Sequence, residues 1–468
     1  MMKVLSVASE VYPLIKTGGL ADVAGALPAA LVDAGVEMRT LVPGYPKVMA
    51  ALGRTKTVMK VDGGQVRQAT QDGLSLYVLD IPALFDREGG PYGDASGRDW
   101  DDNARRFATF AHVAARIAWG EAGWQPDVVH AHDWQAALVP VHLRFGGGPP
   151  SVLTIHNIAF QGRFGGQVFS ELGLPDAAWS VDGVEYYDDV SFLKGGLVTA
   201  DAITTVSPTY AREILTPHFG MGMEGVIAPR AHLVRGIVNG IDTDVWNPET
   251  DDALARNYTA RTLARRRVNR QALNDEFGLT PGGPLFCVIS RLTWQKGLDL
   301  LADNIDHLVG LGGKLMVLGT GEPGLEDAFR HAARRHPGHV ATHIGFDEKL
   351  SHRVQAGSDA ILLPSRFEPC GLTQLYALRY GCLPVVARTG GLADTVIHAN
   401  GAARRAAVAT GFVHDTDSGP ALGDAIADAV ALHGTPEWGV MQRNAMRADV
   451  SWNASAEEYA ALYKTIAL

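Results

Sequence analysis

The sequence lacks three features that would each place it in a specialised class of protein. Its three cysteines, Cys287, Cys370 and Cys382, are too few for a disulfide framework, and no Cys-x-x-Cys pair offers metal ligands. No apolar run is long enough to span a bilayer. The short apolar run at the N-terminus meets Glu10 at once, which favours a first buried strand over a signal peptide. We therefore expect a protein of the reduced cytoplasm, without a membrane partner.

The chain also lacks an excess of basic residues. Its formal net charge of −10 argues against a protein that binds nucleic acid, because such proteins carry a basic surface. A small anionic ligand needs only local lysine and arginine, so the net charge does not exclude one. The 468 residues, 46% of them hydrophobic and 20% charged, are typical of a globular chain with two or three domains.

Apolar runs of strand length alternate with helical periodicity along the chain, which predicts parallel sheets covered by helices. Helices are expected over residues 22–34, capped by Asp22 and closed by Gly35, and over 103–119. Further helices are expected to start near Gly297, Gly324, Lys349 and Gly371. The predicted strands are 4–8, 38–42, 74–79, 127–131, 151–155, 202–206, 285–290, 314–318, 340–344, 360–364 and 383–387.

The scheme repeats after an Asn-Gly turn at Asn239, so we predict an α/β protein of two doubly wound, Rossmann-like domains facing a cleft. The predicted domains are 1–245 and 246–454. A last helical segment, 455–468, has no strand after it, and we expect it to pack back on the first domain. Ligands of such folds bind at the carboxyl ends of the strands.

One candidate anion site follows the first strand. Lys16 stands beside Gly18 and Gly19 at a turn from strand to helix, where backbone N–H groups and the helix N-terminus favour phosphate. The alternative is a tight turn with an exposed lysine. The six residues Thr-Gly-Gly-Leu-Ala-Asp occur at 17–22 and again at 389–394, which suggests a phosphorylated ligand held from both sides.

A second set of candidates lies at the equivalent position of the second half. Arg291 and Lys296 follow a strand and can offset the charge of a diphosphate leaving group, unless they are an ordinary exposed pair. Glu368 stands on a sharp turn after another strand. It can orient sugar hydroxyls or stabilise a cationic sugar ring, and the alternative is a carboxylate that caps the following helix.

Histidines offer further candidates. His156 and Asn157 end a strand at the edge where ligands bind, although a buried, satisfied core histidine is the alternative. His130 and His132 alternate on one strand face, but no third ligand is evident, so we expect no metal. Three acidic pairs resemble the metal-binding pairs of other transferases but are interpreted as loops or helix caps: Asp99/Asp101, Asp242/Asp244 and Asp415/Asp417.

Taken together, these motifs resemble the bacterial glycogen synthases and the plant starch synthases over nearly the whole chain. The matching segments are 16–20, 130–134, 156–160, 205–208, 239–242, 290–297, 366–374 and 389–394. The resemblance implies the glycosyltransferase type B fold. It also implies transfer of glucose from ADP-glucose to the non-reducing end of an α-1,4-glucan such as glycogen, with retention at the anomeric carbon and no metal or other cofactor.

The resemblance also implies roles for residues at the matching positions. Glu368, His156, Lys296, Arg291 and Lys16 are expected to carry the reaction. The expected diphosphate contacts are Lys16, Gly18, Gly19, Arg291 and Lys296. The expected contacts to glucose or its surroundings are Asp22, His156, Asn157, Asn239 and Glu368. Backbone donors are expected from Cys370, Gly371, Leu372 and Thr373, and an adenine-stacking ring from Phe346.

Two positions depart from related patterns. Broader retaining relatives carry a second glutamate where this chain has Tyr376, a feature that glycogen synthases share. Phe346 stands where many family members have tyrosine, which keeps stacking but loses a hydroxyl. The resemblance implies front-face attack, in which the leaving phosphate accepts the acceptor's proton, and the presence of Glu368 as the only prominent carboxylate is consistent with it.

Other functions predict other features. A phosphorylase would need a pyridoxal phosphate lysine and usually a longer chain, and an epimerase is likewise not indicated. UDP-glucose as the donor, or a non-catalytic glucan-binding protein that kept the fold, are the alternatives. Loss of function predicts erosion of the charged residues, yet Lys16, Arg291, Lys296 and Glu368 are all present. The sequence makes no prediction of the oligomeric state.

Overall fold

The computed structural model describes residues 1–468, which form two compact units. Unit 1 comprises Met1–Asn239 together with Trp452–Leu468, and unit 2 comprises Gly240–Ser451. The chain thus leaves unit 1 at the Asn-Gly turn itself, six residues before the boundary proposed from the sequence, and returns three residues before the proposed second boundary.

Unit 1 is built on a nine-stranded sheet of order β12-β11-β7-β6-β1-β2-β5-β4-β3. Its strands are β1 (Met2–Val7), β2 (Val36–Pro43), β3 (Lys56–Val61), β4 (Gly64–Gln71), β5 (Leu74–Asp80), β6 (Val128–His132), β7 (Ser151–Ile155), β11 (Ala202–Thr205) and β12 (Val234–Gly236). Pairing is parallel from β12 to β5, and β3 and β4 add an antiparallel edge. A separate antiparallel sheet contains β8 (Arg163–Gly165), β9 (Glu185–Tyr186) and β10 (Asp189–Ser191).

The helices of unit 1 cover this sheet. They are α1 (Gly19–Asp33), α2 (Pro46–Ala51), α3 (Pro82–Phe85), α4 (Asn103–Ala118), α5 (Asp133–Ala136), α6 (Leu138–Gly146), α7 (Phe192–Thr199), α8 (Pro208–Glu213) and α9 (Glu224–Ile227). Gly35 has φ +81° and closes α1 as predicted. The prediction that Asp22 caps α1 is wrong, because α1 begins at Gly19 with Gly18 as its N-cap residue.

Unit 2 is built on a six-stranded parallel sheet of order β15-β14-β13-β16-β17-β18. Its strands are β13 (Leu285–Ile289), β14 (Lys314–Gly319), β15 (Val340–Ile344), β16 (Ala360–Leu363), β17 (Leu383–Ala387) and β18 (Phe412–His414). Its helices are α10 (Arg266–Phe277), α11 (Leu298–Gly310), α12 (Pro323–Arg335), α13 (Glu348–Gly357), α14 (Thr373–Tyr380), α15 (Gly390–Thr395), α16 (Gly401–Arg405), α17 (Gly419–Leu432) and α18 (Pro436–Arg447).

The final helix, α19 (Asn453–Ile466), belongs to unit 1. The buried rings of Tyr459 and Tyr463, and of Trp452 just before the helix, join one apolar cluster with Val4 of β1 and Leu27 of α1. The C-terminus therefore covers the sheet near β1, although most of unit 1 precedes it by more than two hundred residues.

Every predicted strand is present, with each end within two residues of the prediction, because long apolar runs identify buried parallel strands. In both large sheets the chain order reverses beside the first strand of the unit, β1 in unit 1 and β13 in unit 2. Such switch points open a crevice at the carboxyl ends of the strands. None of the helices has both the length and the apolar character that crossing a bilayer requires.

Candidate active site

The loop of unit 1 that contains Lys16, Gly18 and Gly19 is held in place by hydrogen bonds to a buried carboxylate. Glu10 is 2% exposed and accepts hydrogen bonds from the Thr17 hydroxyl (2.6 Å), the Thr17 backbone N–H and the Tyr92 hydroxyl. Lys16 donates to Asp22 at 2.7 Å, within the first turn of α1. Hydrogen bonds therefore hold the loop at Thr17, while the Lys16 side chain remains partly exposed.

Gly18 and Gly19 face open space. A Cβ built on either residue meets no atom within 4 Å, and neither has a positive φ. Neither packing within the chain nor backbone conformation therefore requires glycine at these two positions. What a side chain would cover is the start of α1, whose N-terminus has no side-chain cap and favours anions.

His156 lies one residue beyond β7 and is buried. Its Nε2 is 3.0 Å from His132 Nδ1, and the other nitrogen of His132 is 3.3 Å from the Ser6 hydroxyl. Its backbone N–H donates to Asp133 at 2.7 Å, and that of Asn157 donates to the same oxygen at 3.4 Å. Three neighbouring strands and the turn after β6 thus hold the imidazole in place.

Burial has the largest effect on the pKa values of His156, His132 and Asp133. It lowers the pKa of His156 well below its usual value and that of His132 to about 3, so both rings are neutral near pH 7. It also raises the pKa of Asp133 to about 7, although the N–H groups of His156 and Asn157 oppose the rise. His156 can therefore act as a neutral hydrogen-bonding group, and a cationic role does not fit its surroundings.

Two asparagines complete the set in unit 1. The Asn157 side chain accepts from the Ala159 N–H at 3.0 Å and so shapes the turn after His156. Asn239 is 5% exposed, and its amide oxygen has no hydrogen-bond partner within the chain. An unsatisfied buried acceptor is costly, so Asn239 is a candidate for contact with a ligand donor.

In unit 2, Lys296 and Glu368 form an ion pair, with both side chains largely buried. Lys296 ends a short 3₁₀ turn after β13, and Glu368 lies on the loop after neighbouring β16, so the switch point brings them together. The Ser365 hydroxyl also donates to Glu368, at 3.1 Å. Glu368 does not cap the following helix, because α14 begins at Thr373 with Leu372 as its N-cap residue.

Arg291 and Phe346 are the exposed members of the set in unit 2. Arg291 makes no ion pair within the chain, so its charge is available to a ligand. Phe346 follows β15 and is 86% exposed, which is unusual for an aromatic ring. A flat ring in this position can stack on a planar ligand.

The start of α14 differs from the prediction by two residues. Gly371 has φ +71° and therefore cannot belong to the helix, which begins at Thr373 without a side-chain cap. Cys370 is buried, whereas Gly371, Leu372 and Thr373 are partly exposed. Uncapped N–H groups and the helix dipole together form an anion-binding surface.

The second Thr-Gly-Gly-Leu-Ala-Asp copy does not form an open anion site. A Cβ on Gly390 would lie 1.9 Å from the Glu368 carbonyl oxygen, and one on Gly391 would lie 2.2 Å from that of Cys370. The Gly391 N–H donates to the carbonyls of Glu368 and Pro369 at 3.2 and 3.1 Å. This copy therefore packs against the backbone of the loop that carries Glu368.

Three residues that matter here were not among the predicted site residues: Glu10, Asp133 and Arg366. The first two could have been suspected because Asp133 directly follows β6 and Glu10 comes three residues after β1, and acidic residues just beyond a strand lie at the ligand edge. Arg366 stands in the Glu368 motif, but sequence alone does not say that its charge is satisfied by Asp299 at 2.7 Å and Asp417 at 2.7 Å.

The remaining predicted features have structural roles. The Tyr376 ring stacks on Trp246 at 3.7 Å between ring centres. His130 contacts the Tyr463 hydroxyl at 2.7 Å and the Thr154 hydroxyl, and its ring packs on His132. No cluster of three histidine, cysteine, aspartate or glutamate side chains has the geometry of a metal site. Asp242 accepts from the N–H groups of Asp244 and Val245, as in a loop cap.

Comparison with known proteins identifies the class. The starch synthase catalytic domain matches residues 3–229, and the glycosyl transferases group 1 domain matches residues 269–441. The catalytic domain of starch synthase IV from Arabidopsis thaliana superposes with a TM-score of 0.87 at 30% identity, over 100% of this chain and 99% of that one. Sucrose-phosphate synthase from Thermosynechococcus elongatus, at 17% identity and a TM-score of 0.61, with 100% and 99% covered, shares the fold. Two Rossmann-like units of this kind define a glycosyltransferase of the type B fold.

Curated relatives narrow the class further. The glycogen synthase of Novosphingobium aromaticivorans is 58% identical over 99% of both chains, and glycogen synthase 1 of Rhizobium meliloti is 57% identical over 99% of both. The chain belongs to the glycogen synthase family, and its activity is glucosyl transfer that elongates a glucan.

Proposed function

We propose that this enzyme uses ADP-glucose as its donor and adds glucose to the non-reducing end of an α-1,4-glucan with retention of configuration, in the cytoplasm. The observation that carries this proposal is the Lys296–Glu368 pair beside the uncapped start of α14. The starch synthase IV structure, similar over the whole chain, was solved bound to ADP and acarbose, which favours an adenine nucleotide here as well.

For the diphosphate, each unit by itself offers candidate cations and backbone donors. In unit 1, Lys16 and the open N–H groups at Gly18 and Gly19 suit phosphate oxygens. In unit 2, Arg291 and Lys296 supply two positive charges, and residues 370–373 supply backbone donors. As the bond from C1 to the phosphate breaks, charge grows on the leaving diphosphate, and fixed cations stabilise that charge most in the transition state.

The transferred glucose is assigned to Glu368, His156, Asp22, Asn157 and Asn239. A neutral His156, held by His132, can hydrogen-bond a sugar hydroxyl without introducing charge. Asn239 brings a buried amide oxygen in need of a donor. The Glu368 carboxylate, which forms an ion pair with Lys296, favours the positive charge that develops on the sugar ring.

We propose that retention follows from attack on the same face as departure. The acceptor hydroxyl forms its bond to C1 as the phosphate leaves, and its proton passes to the leaving phosphate oxygen. This assignment rests on the presence of one prominent carboxylate, because a retaining double displacement would need a second one opposite the first. At the position where broader relatives have glutamate, Tyr376 is packed on Trp246.

The base of the nucleotide is assigned to Phe346, whose exposed ring can stack on adenine. Stacking alone discriminates little between adenine and uracil, since both present a π-face. The donor is therefore the part of the proposal that most needs measurement.

The test compares incorporation of labelled glucose into glycogen from ADP-glucose and from UDP-glucose, with a chelator present. We expect efficient incorporation from ADP-glucose that the chelator leaves unchanged. Incorporation from UDP-glucose alone would retain the reaction and overturn the donor. If a folded preparation incorporated glucose from neither donor, a glucan-binding protein without activity would become the better account.

A further inference from the structure

We infer that Arg366, clamped between Asp299 and Asp417, is a positioning residue that holds Lys296 and Glu368 in register for transfer. This inference rests on the proposed roles of Lys296 and Glu368. It assigns Arg366 no contact with the substrate: its effect passes through the two loops that carry the ion pair.

The guanidinium of Arg366 makes four hydrogen bonds within unit 2. Nη1 and Nη2 bind the two carboxylate oxygens of Asp299 at 2.7 and 2.8 Å, and Nε binds Asp417 at 2.7 Å. Nη1 also donates to the Trp294 carbonyl oxygen at 2.7 Å, and the guanidinium lies over the Trp294 ring at 4.4 Å. A planar fork with this many directed donors is a property of arginine that lysine cannot reproduce.

These contacts join the turn that carries Lys296 to the loop that carries Glu368. The 3₁₀ turn Trp294–Lys296 ends in Lys296, and Glu368 lies two residues after Arg366. The Arg366 backbone N–H donates to the Gln295 carbonyl oxygen at 2.9 Å, and the Gln295 side-chain amide donates to the Phe367 carbonyl oxygen at 3.3 Å. Side-chain and backbone bonds therefore tie the two segments together immediately beside the Lys296–Glu368 pair.

The charges exclude the obvious alternative, a phosphate-binding role for Arg366. Its single positive charge faces two carboxylates, and its side chain is 11% exposed. The side-chain hydrogen bond to Arg366 is also the largest cause that lowers the pKa of Asp299, so this pair stays ionised at neutral pH. Arg291, which has no such partner, is the cation free to meet a diphosphate.

Asp417 supports the same assignment from a third segment. Its φ of +52° is in the left-handed region that residues other than glycine rarely adopt. In that conformation its carboxylate reaches Arg366 from the loop before α17. Of the acidic pair Asp415/Asp417, Asp417 is thus explained by the clamp on Arg366, whereas Asp415 faces Arg388 at 3.7 Å.

The test is a double-mutant cycle between Arg366→Lys and Lys296→Ala, measured with whichever nucleotide-glucose the wild-type enzyme accepts, so that a wrong donor assignment does not affect it. If Arg366 acts by positioning, Arg366→Lys lowers kcat about 10- to 100-fold and leaves KM nearly unchanged, because a displacement near 1 Å is enough for such a loss. In the Lys296→Ala background the same substitution lowers kcat by only about two- to threefold, since the ion pair is gone and Glu368 alone remains to be positioned.

Arg270→Lys is the matched control. Arg270 pairs with Asp359 at 2.5 Å in the same unit, away from the candidate site, so its substitution is expected to lower Tm and leave kcat intact. Asp417→Asn is the second variant. Because the Asp417 carboxylate is 64% exposed, we expect this variant to fold. Its kcat should fall by about threefold when Lys296 is present and stay unchanged when Lys296 is replaced by alanine.

Two results would overturn the inference. One is an Arg366→Lys enzyme that loses Tm like the control but keeps wild-type kcat. The other is a kcat loss of equal size with and without Lys296, which would indicate a general structural role. If Arg366→Lys did not fold, the cycle between Asp417→Asn and Lys296→Ala would be measured instead. Equal losses of kcat with and without Lys296 would again overturn the inference.

Discussion

Replacement of the second glycine by alanine should have different consequences in the two Thr-Gly-Gly-Leu-Ala-Asp copies, for donor use in one and for stability in the other. Gly19 is the first residue of α1, and a Cβ there meets nothing within 4 Å. Gly391 is the second residue of α15, and a Cβ there would lie 2.2 Å from the Cys370 carbonyl oxygen and 2.6 Å from Cys370 Cα. The same substitution therefore probes a ligand surface in one copy and a packed interior in the other.

The structure sets the magnitudes. Alanine is favoured over glycine within a helix by up to about 1 kcal/mol, so Gly19→Ala should leave Tm unchanged or raise it by about 2–4 °C. Its methyl group would cover the N–H groups proposed to bind phosphate. Hydrogen bonds to charged groups contribute about 1.5–3 kcal/mol, so kcat/KM for the donor should fall about 10- to 100-fold.

Gly391→Ala should lower stability instead. The Cys370 backbone would have to move until its carbonyl oxygen, 2.2 Å from the added Cβ, lies at least 3.0 Å away, since shorter Cβ contacts do not persist. Overpacking of this kind costs about 1–3 kcal/mol. Because the displaced loop carries Glu368, kcat should fall together with Tm.

The assay combines thermal unfolding of both variants with donor saturation kinetics. The reasoning predicts a stable Gly19→Ala enzyme with impaired donor use and a destabilised Gly391→Ala enzyme. Wild-type kcat/KM in a folded Gly19→Ala enzyme would refute the claim that a ligand approaches this loop. Wild-type stability of Gly391→Ala would refute the packing argument.

Two further predictions concern charge. Arg291→Ala should raise the donor KM severalfold with no loss of Tm, because the side chain is exposed and unpaired; an unchanged KM for both donors would remove it from the diphosphate site. Burial lowers the pKa of His132 and of His142 to about 3, below the unfolded value of about 6.5, so the stability they contribute is present above pH 6.5 and lost as pH falls towards 3. Burial raises the pKa of Asp133 to about 7, so its folded form binds more protons between about pH 4 and 7 and gains stability as pH falls through that window. Asp133→Asn should therefore make the decline of Tm from pH 7 to 4.5 steeper, and thermal melts showing a shallower decline would contradict this sign.

Sequence patterns predict the large sheets well because their central strands are buried on both faces and read as continuous apolar runs. The strands that were missed are short or half exposed. β3 and β4 carry lysine, arginine and glutamine at the antiparallel edge of the sheet, and β8, β9, β10, β12 and β18 have at most three residues each. An edge strand buries too little apolar surface to leave a strong periodic signal.

The candidate site was predictable wherever a motif follows a strand, since parallel strands end at one edge of the sheet. What sequence could not supply is the partner of each group. Identical Thr-Gly-Gly-Leu-Ala-Asp segments lie against open space in one unit and against the Glu368 loop in the other. Arg366 was part of a recognised motif, yet only tertiary contacts with Asp299 and Asp417 distinguish a saturated cation from a free one such as Arg291.

The most direct test of the central claim measures Glu368→Gln on two scales, the ADP dissociation constant and the rate of glucose transfer from ADP-glucose to glycogen. Glutamine keeps the shape of the side chain and removes the charge that pairs with Lys296. We expect a folded enzyme that binds ADP within a few-fold of wild type and transfers glucose about a hundred- to a thousandfold more slowly, the scale of one essential electrostatic group. Transfer at a rate near that of wild type would contradict the assignment of Glu368 and, with it, the proposed mechanism.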